Sequence, residues 1–96
     1  MLERDFQSKL IRELKEMFPG CIVLKSDPGY LQGLPDLLVL YRDKWASLEC
    51  KKIAKARRQA NQEYYVDKMN AMSFSRFICP ENKENVLHEL QQAFSD

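Results

Sequence analysis

The apolar residues of this chain recur in two spacings, one typical of helices and one of strands. Helical spacing near the N-terminus predicts an amphipathic helix over residues 2–18, which Pro19-Gly20 would end. A second helical pattern begins at about Ala54, and a third lies near the C-terminus. The apolar stripes of the three predicted helices are Leu2, Phe6, Leu10, Leu14, Met17 and Phe18; Tyr65, Val66, Met69 and Met72 together with Gln62; and Val86, Leu87, Leu90, Ala93 and Phe94.

Between these helices lie short apolar runs of strand length. The predicted strands cover residues 21–25, 37–41, 45–51 and 74–79. The polar Arg42-Asp43-Lys44 predicts a hairpin turn, whereas the proline- and glycine-rich residues 26–35 predict a loop. The order α-β-β-β-α-β-α predicts a single α/β domain over residues 1–96, with a mixed central sheet flanked by helices.

Composition adds that the chain is an ordinary small domain. It has 96 residues, 45% of them hydrophobic and 30% charged, and no apolar run approaches the roughly 20 residues that span a bilayer. The N-terminus has no apolar signal region. The cysteines Cys21, Cys50 and Cys79 are odd in number and far apart, which fits neither a disulfide framework nor a zinc site. We therefore expect reduced thiols, a cytoplasmic location and no membrane partner.

Charge is unevenly distributed along the chain. Residues 42–58 carry seven basic and two acidic side chains, a net charge of +5, although the whole chain has a net charge of only +1. Such a cluster fits a polyanionic partner, and Lys52, Lys55, Arg57 and Arg58 are the candidate phosphate contacts. Charge alone favours the simpler reading that these residues begin a solvated helix.

Three polar residues converge on the predicted hairpin. Side chains alternate between the two faces of a strand, so Glu49 and Lys51 point to one side while Leu48 and Cys50 point to the other. The hairpin brings Asp36, at the start of the preceding strand, alongside them. Two carboxylates and one ammonium group therefore meet at one end of the sheet.

This group of residues suits a divalent metal ion. Mg²⁺ takes oxygen ligands and typically uses one or two carboxylates together with water and substrate phosphates. Asp36 and Glu49 supply the carboxylates, and the backbone carbonyl of Cys50 is a further candidate ligand. Lys51 is placed to orient the attacking water or to offset charge on the transition state.

The run Gly33-Leu-Pro-Asp36, followed after twelve residues by Glu49-Cys-Lys51, is similar to the signature of the PD-(D/E)xK nuclease superfamily. With Gln62 in the next helix, it resembles the virus-type replication-repair nuclease (VRR-NUC) branch, including its stand-alone phage-type members. The resemblance implies a restriction-endonuclease-like fold, dependence on Mg²⁺ or Mn²⁺, and Asp36 and Glu49 as metal ligands. It also implies that Lys51 is the catalytic lysine and that Gln62 lies beside the site.

The resemblance further implies a glutamate on the first helix that supports the metal or the water. Glu3 falls between Leu10 and Leu14 on a helical wheel, which predicts that it faces inward, and an idle carboxylate is costly there. The alternatives are that Glu3 only favours the helix N-terminus or lies in solvent, and that Glu13 has the role instead. The glutamine assignment has a similar ambiguity, because Gln59 lies one turn before Gln62.

These observations lead to an expected function with two alternatives. We expect a DNA endonuclease that acts on branched or Holliday-junction DNA as a homodimer, as the resemblance implies, with Tyr30 stacking on a base. The first alternative is a non-catalytic nucleic-acid-binding module that retains the fold. The second is a protein-interaction domain in which the motif is fortuitous.

Overall fold

The computed structural model describes residues 2–95 and has the predicted order of elements. Three helices and four strands alternate as α-β-β-β-α-β-α, so the predicted α/β class is confirmed at that level. Their bounds are α1 Glu3–Met17, β1 Ile22–Lys25, β2 Leu37–Tyr41, β3 Lys44–Cys50, α2 Ala60–Met72, β4 Phe74–Ile78 and α3 Lys83–Phe94.

The four strands form one mixed sheet in the order β1-β2-β3-β4. The first three strands are antiparallel neighbours, and β4 runs parallel to β3 after the crossover through α2. The β2–β3 hairpin turns at Arg42 and Asp43, where Arg42 adopts a φ of 57°. The register of this hairpin pairs Leu37 with Leu48, which brings the start of β2 next to the end of β3.

The main core lies between one face of the sheet and the helices α1 and α3. Leu37, Leu48 and Ile78 project from this face and are fully buried. They pack in one cluster with α1 residues such as Leu10 and with α3 residues such as Leu90. This apolar layer fixes the strands whose opposite face carries the polar residues of the candidate site.

Helix α2 covers part of the opposite face. Its contacts with the sheet are more polar: the hydroxyl of Ser47 donates to that of Ser75 at 2.7 Å, and Asn70 accepts the Ser75 backbone N–H at 3.1 Å. Val66 is the buried apolar residue of this helix. The apolar stripe predicted for α2 is therefore only partly buried, and Met72 at its end is 65% exposed.

Helix α2 begins at Ala60, six residues later than the predicted start near Ala54. Residues 51–59 form an irregular segment, which we call the basic loop, and Gln59 is in an extended conformation as the residue that caps α2. The side-chain Oε1 of Gln62 accepts the backbone N–H of Gln59 at 3.0 Å, as in a capping box. This contact fixes where the helix begins.

The cysteines agree with the expectation from composition, because Cys21, Cys50 and Cys79 are all free thiols. Across residues 2–95, no helix combines the length and the apolar character that a bilayer crossing requires.

Candidate active site

The β2–β3 hairpin brings Asp36 and Glu49 into direct contact. The backbone N–H of Asp36 donates to Oε1 of Glu49 at 3.1 Å, and the backbone N–H of Cys50 donates to Oδ2 of Asp36 at 2.9 Å. Each of the two carboxyl groups therefore accepts a hydrogen bond from a backbone N–H on the opposite side of the hairpin. Their position follows from the hairpin register rather than from flexible side-chain packing.

Lys51 and Gln62 complete a connected group around Glu49. Gln62 donates through Nε2 to Oε2 of Glu49 at 2.8 Å and accepts through Oε1 from Nζ of Lys51 at 2.9 Å. The ammonium group of Lys51 also donates to the backbone carbonyl of Arg57 at 3.1 Å and lies 3.9 Å from Oε2 of Glu49. Gln62, and not Gln59, is therefore the glutamine beside the carboxylates.

Gln62 also belongs to the cap of α2. Its Oε1 accepts the backbone N–H of Gln59 at 3.0 Å in addition to the Lys51 ammonium. A carbonyl oxygen has two lone pairs and can accept both. The start of α2 is consequently fixed to the same side chain that positions Lys51 and Glu49.

Burial raises the pKa values of both carboxyl groups, and the charge of Asp36 adds to the shift at Glu49. Glu49 is 4% exposed, and desolvation, followed by the charge of Asp36, raises its pKa from 4.5 to about 7 despite the opposing charge of Lys51. Desolvation also raises the pKa of Asp36, although the Cys50 N–H and the Lys51 charge oppose this. A second positive charge near the two groups would favour their ionised forms.

The donor atoms of this site fit Mg²⁺ or Mn²⁺. Carboxylate and carbonyl oxygens are the ligands that these hard cations prefer, and one or two carboxylates with water suffice for Mg²⁺. Each carboxylate oxygen has more than one lone pair, so the hydrogen bonds to Asp36 and Glu49 leave acceptor capacity. A cation would offset the repulsion between the buried Glu49 and the half-buried Asp36.

The inward orientation predicted for Glu3 is wrong. Glu3 is the first residue of α1 and is exposed, because the buried stripe of the helix starts only at Phe6. Its charge is nevertheless near enough to contribute to the raised pKa of Glu49. Among residues 2–95, no three His, Cys, Asp or Glu side chains form a metal-binding group, so Glu3 is not brought into a cluster with the two carboxylates.

Glu13, the alternative to Glu3, is engaged elsewhere. Its Oε1 accepts from Nζ of Lys83 at 2.8 Å, which joins α1 to α3. The side chain of Glu13 is 30% exposed, so this is a partly solvated ion pair. Of the two candidate glutamates, Glu3 is the one whose charge raises the pKa of Glu49.

The loop before Asp36 passes very close to α2 at a glycine. Gly33 has a φ of 91°, and a Cβ atom placed on it would lie 2.8 Å from Cγ of Asn61. Only glycine fits both the left-handed backbone and this close approach. Pro35 follows as a buried residue. The Gly33-x-Pro35-Asp36 run therefore packs the loop against α2 and positions Asp36 in the site.

The predicted nucleic-acid contacts lie on the surface around the site. Lys52, Lys55, Arg57 and Arg58 are all exposed within the basic loop. The guanidinium of Arg58 lies 3.9 Å from the centre of the Phe77 ring, a cation–π contact that fixes this side chain. Tyr30 is 85% exposed in the loop that leads to Asp36.

Some participants of the site have no signal in the sequence. The Arg57 carbonyl and the Cys50 N–H are backbone groups, and any residue type would supply them. Only the path of the chain reveals them. The bridging position of Gln62 between Glu49 and Lys51 likewise depends on where α2 begins, which the helical pattern did not define.

Comparison of the chain with protein-family models, curated proteins and solved structures finds no match in any of the three. The support for a function therefore comes from the residues of this chain and from the motif that they form.

Proposed function

We propose that this chain is a metal-dependent nuclease that hydrolyses phosphodiester bonds of DNA. The observation that carries the proposal is the convergence of Asp36, Glu49 and Lys51 in one hydrogen-bonded group at the end of a sheet. The spacing and order of these residues match the PD-(D/E)xK pattern. A purely structural role for the group is disfavoured, because a buried carboxyl group beside a half-buried one costs stability at neutral pH.

A divalent cation, Mg²⁺ or Mn²⁺, would be held by Asp36, Glu49 and the Cys50 carbonyl, and would polarise the phosphate and lower the pKa of water. The hydrogen bonds from the Asp36 and Cys50 backbone N–H groups orient the two carboxylates before any ligand arrives. This preorganisation reduces the rearrangement needed to reach the reactive state. Glu3, on the edge of the site, would act on this group through water.

Lys51 would act directly on the substrate. An ammonium group has three N–H donors, and Gln62 and the Arg57 carbonyl accept two of them. The third can donate to a phosphate oxygen or to the attacking water. Because the Lys51 side chain is 13% exposed, water screens its charge little, and it can offset negative charge that develops in the transition state.

The basic loop supports DNA as the substrate. Its exposed Lys52, Lys55, Arg57 and Arg58 directly follow the catalytic strand, where they can contact phosphates on either side of the cut. Binding through such contacts should weaken steeply as salt concentration rises. We extend the proposal to branched DNA, including four-way junctions, because the resemblance points to such substrates.

We also propose a homodimer. Met72 is 65% exposed beside Trp45 in a cleft of about 370 Å³ at the beginning of β3, the opposite end of that strand from Glu49. A dimer through this region would leave both sites open to a junction. Sedimentation of wild type and Met72→Glu measures this: a dimer through this cleft should dissociate in the variant.

The experiment that tests the nuclease activity uses plasmid, linear duplex and four-way-junction DNA with Mg²⁺, Mn²⁺ or EDTA. We expect metal-dependent cleavage that is lost in Asp36→Ala, Glu49→Ala and Lys51→Ala, while DNA binding largely persists. Asp67→Ala and Lys68→Ala are matched controls, because they remove the same charges at exposed positions outside the site and the proposed dimer cleft. Cleavage that survives EDTA, or all three site substitutions, would contradict the mechanism.

The same experiment distinguishes the nuclease from the two alternative functions. A nucleic-acid-binding module would bind the DNA substrates with the salt dependence of phosphate contacts but would cut none of them with either metal. A protein-interaction domain would show neither binding nor cleavage.

A further inference from the structure

A mostly apolar cavity of about 240 Å³ opens beside Asp36, on the α2 side of the sheet. It lies between the strands β1, β2 and β3 and the helix α2, and the loop that precedes Asp36 closes one side. Its walls include Leu24, Leu34, Pro35, Leu38, Ser47 and Met69.

The cavity lies two residues along β2 and β3 from the carboxylates of Asp36 and Glu49. Leu38 is two residues after Asp36 on β2, and Ser47 is two residues before Glu49 on β3. Side chains two residues apart on a strand share a face and lie about 7 Å from each other. A nucleotide whose phosphate reaches Asp36 and Glu49 could therefore place its base in the cavity.

The lining of the cavity suits a flat ring. Leu24, Leu34 and Met69 supply apolar walls, and the thioether of Met69 is the kind of group that packs well on aromatic rings. The cavity is smaller than the roughly 300–1,000 Å³ of pockets for drug-sized ligands, which fits a single ring system. The Ser47 hydroxyl lies at the sheet but is buried and already donates to Ser75 at 2.7 Å, so the inner wall would recognise the ring by shape.

The rim of the cavity adds a cation and an exposed ring. Lys25 lies there and can approach a phosphate, while Asp27, also at the rim, already accepts the Gly29 N–H at 2.8 Å through Oδ1. Tyr30 lines the mouth and is 85% exposed. A tyrosine in this position can stack on a base.

We propose that the cavity holds one unpaired nucleobase, carried by the nucleotide next to the scissile phosphate; this inference rests on the nuclease function proposed above. A base is favoured over a side chain of a second copy because the cavity adjoins the phosphate site and has a cation and an aromatic ring at its mouth. A base in a duplex must first leave its stack, whereas one that is already unpaired does not. The nuclease should therefore prefer cuts next to an unpaired nucleotide.

The test compares three DNA duplexes in Mn²⁺: one with a single unpaired nucleotide, one with an abasic residue at that position, and one fully paired. Leu24→Trp fills the cavity at a position that is 46% exposed. Ile22→Trp is the matched control, since Ile22 is 56% exposed on the same face of the same strand and does not line the cavity. A second measurement, in EDTA, follows the fluorescence of 2-aminopurine at the unpaired position.

We expect wild type and Ile22→Trp to cut the duplex with the unpaired base about tenfold or more faster than the abasic duplex, as stacking energies suggest. Leu24→Trp should lose most of this preference while still cutting the abasic duplex. The 2-aminopurine emission should change on binding to wild type and Ile22→Trp but not to Leu24→Trp.

Equal cleavage of the base-containing and abasic duplexes by wild type, with no 2-aminopurine response, would overturn the pocket and leave the nuclease function intact. A 2-aminopurine response without cleavage of any DNA would support the pocket and remove the nuclease function. A change in sedimentation of Leu24→Trp with unaltered base preference would overturn the proposal and identify the cavity as a contact between protomers.

Discussion

Replacing Asp36 with asparagine should stabilise the metal-free protein while abolishing cleavage. The asparagine oxygen can still accept the Cys50 N–H, which Asp36 accepts at 2.9 Å, so the hairpin contact is kept. What disappears is a negative charge that, after desolvation, is the largest cause of the raised pKa of Glu49. The substitution therefore removes repulsion that acts on the buried Glu49.

The size of the effect follows from the pKa of Glu49. Raising that pKa from 4.5 to about 7 lowers stability by roughly 3 kcal/mol once the group is ionised in both states. Desolvation accounts for the largest part, so removing the Asp36 charge should recover on the order of 1 kcal/mol, or about 4–8 °C in Tm for a domain of this size.

The pH dependence has a defined sign. Below pH 4.5 Glu49 is protonated in both states; between pH 4.5 and about 7 only the unfolded state has lost the proton. Wild-type stability should therefore fall as pH rises through this window and level off above it. The raised pKa of Asp36 acts in the same direction.

Thermal unfolding in EDTA at pH 5 and pH 8 measures this. We expect Asp36→Asn to melt above wild type at pH 8, with a much smaller difference at pH 5, where Glu49 is already protonated. Asp43→Asn is the control, because the Asp43 side chain is 88% exposed and its charge costs little.

Saturating Mn²⁺ should reverse the order of the melting temperatures, because it should stabilise wild type more than the variant, by about 2.7 kcal/mol at 100 times the Kd. A variant that is less stable than wild type at pH 8 in EDTA, or equally stabilised at both pH values, would refute the reasoning.

Two further substitutions test the surroundings of the site. Gly33→Ala should lower the free energy of unfolding, measured in urea, by more than Gly20→Ala. Both glycines have φ near 90°, which costs an alanine about 1–2 kcal/mol, but only at Gly33 would the Cβ atom also collide with α2. Equal losses in the two variants would exclude a contribution from that collision. Glu3→Gln should shift the pH dependence of unfolding to lower pH, because the Glu3 charge raises the pKa of Glu49. It should also slow cleavage, because it removes a negative charge that attracts the metal ion to the site. Glu13→Gln should only break a partly exposed ion pair worth up to about 1 kcal/mol. Unfolding curves and cleavage rates check both, and an equal loss of activity in the two variants would contradict the distinction.

The sequence predicted most of what depends on regular alternation. Strand periodicity and the polar turn at Arg42 and Asp43 were sufficient to place Asp36 beside Glu49 and to put Lys51 on the same face. The order of the elements followed from the lengths and periods of the apolar runs. These features are local, or follow from one hairpin, so the spacing of residues along the chain determines them.

The errors occur where two elements meet. The start of α2 was placed too early because the basic loop consists of residues that are compatible with a helix, and because its cap, Gln59, is not among the usual capping residues. Glu3 was placed inward because a helical wheel does not show that the first turn lies beyond the buried stripe. The cavity beside Asp36 involves β1, β2, β3, α2 and a loop, so no single pattern in the sequence defines it.

The double engagement of Gln62 has a consequence for how the chain can vary in length. Insertions or deletions within residues 52–55 would change an exposed part of the loop, which is the kind of segment that tolerates them. The insertion or deletion of one residue between Gln59 and Gln62 would turn Gln62 by about 100° around the helix axis. Gln62 would then lose its contacts with both Glu49 and Lys51. Relatives of this chain should therefore differ in length before Arg57 but keep the spacing from there to Gln62.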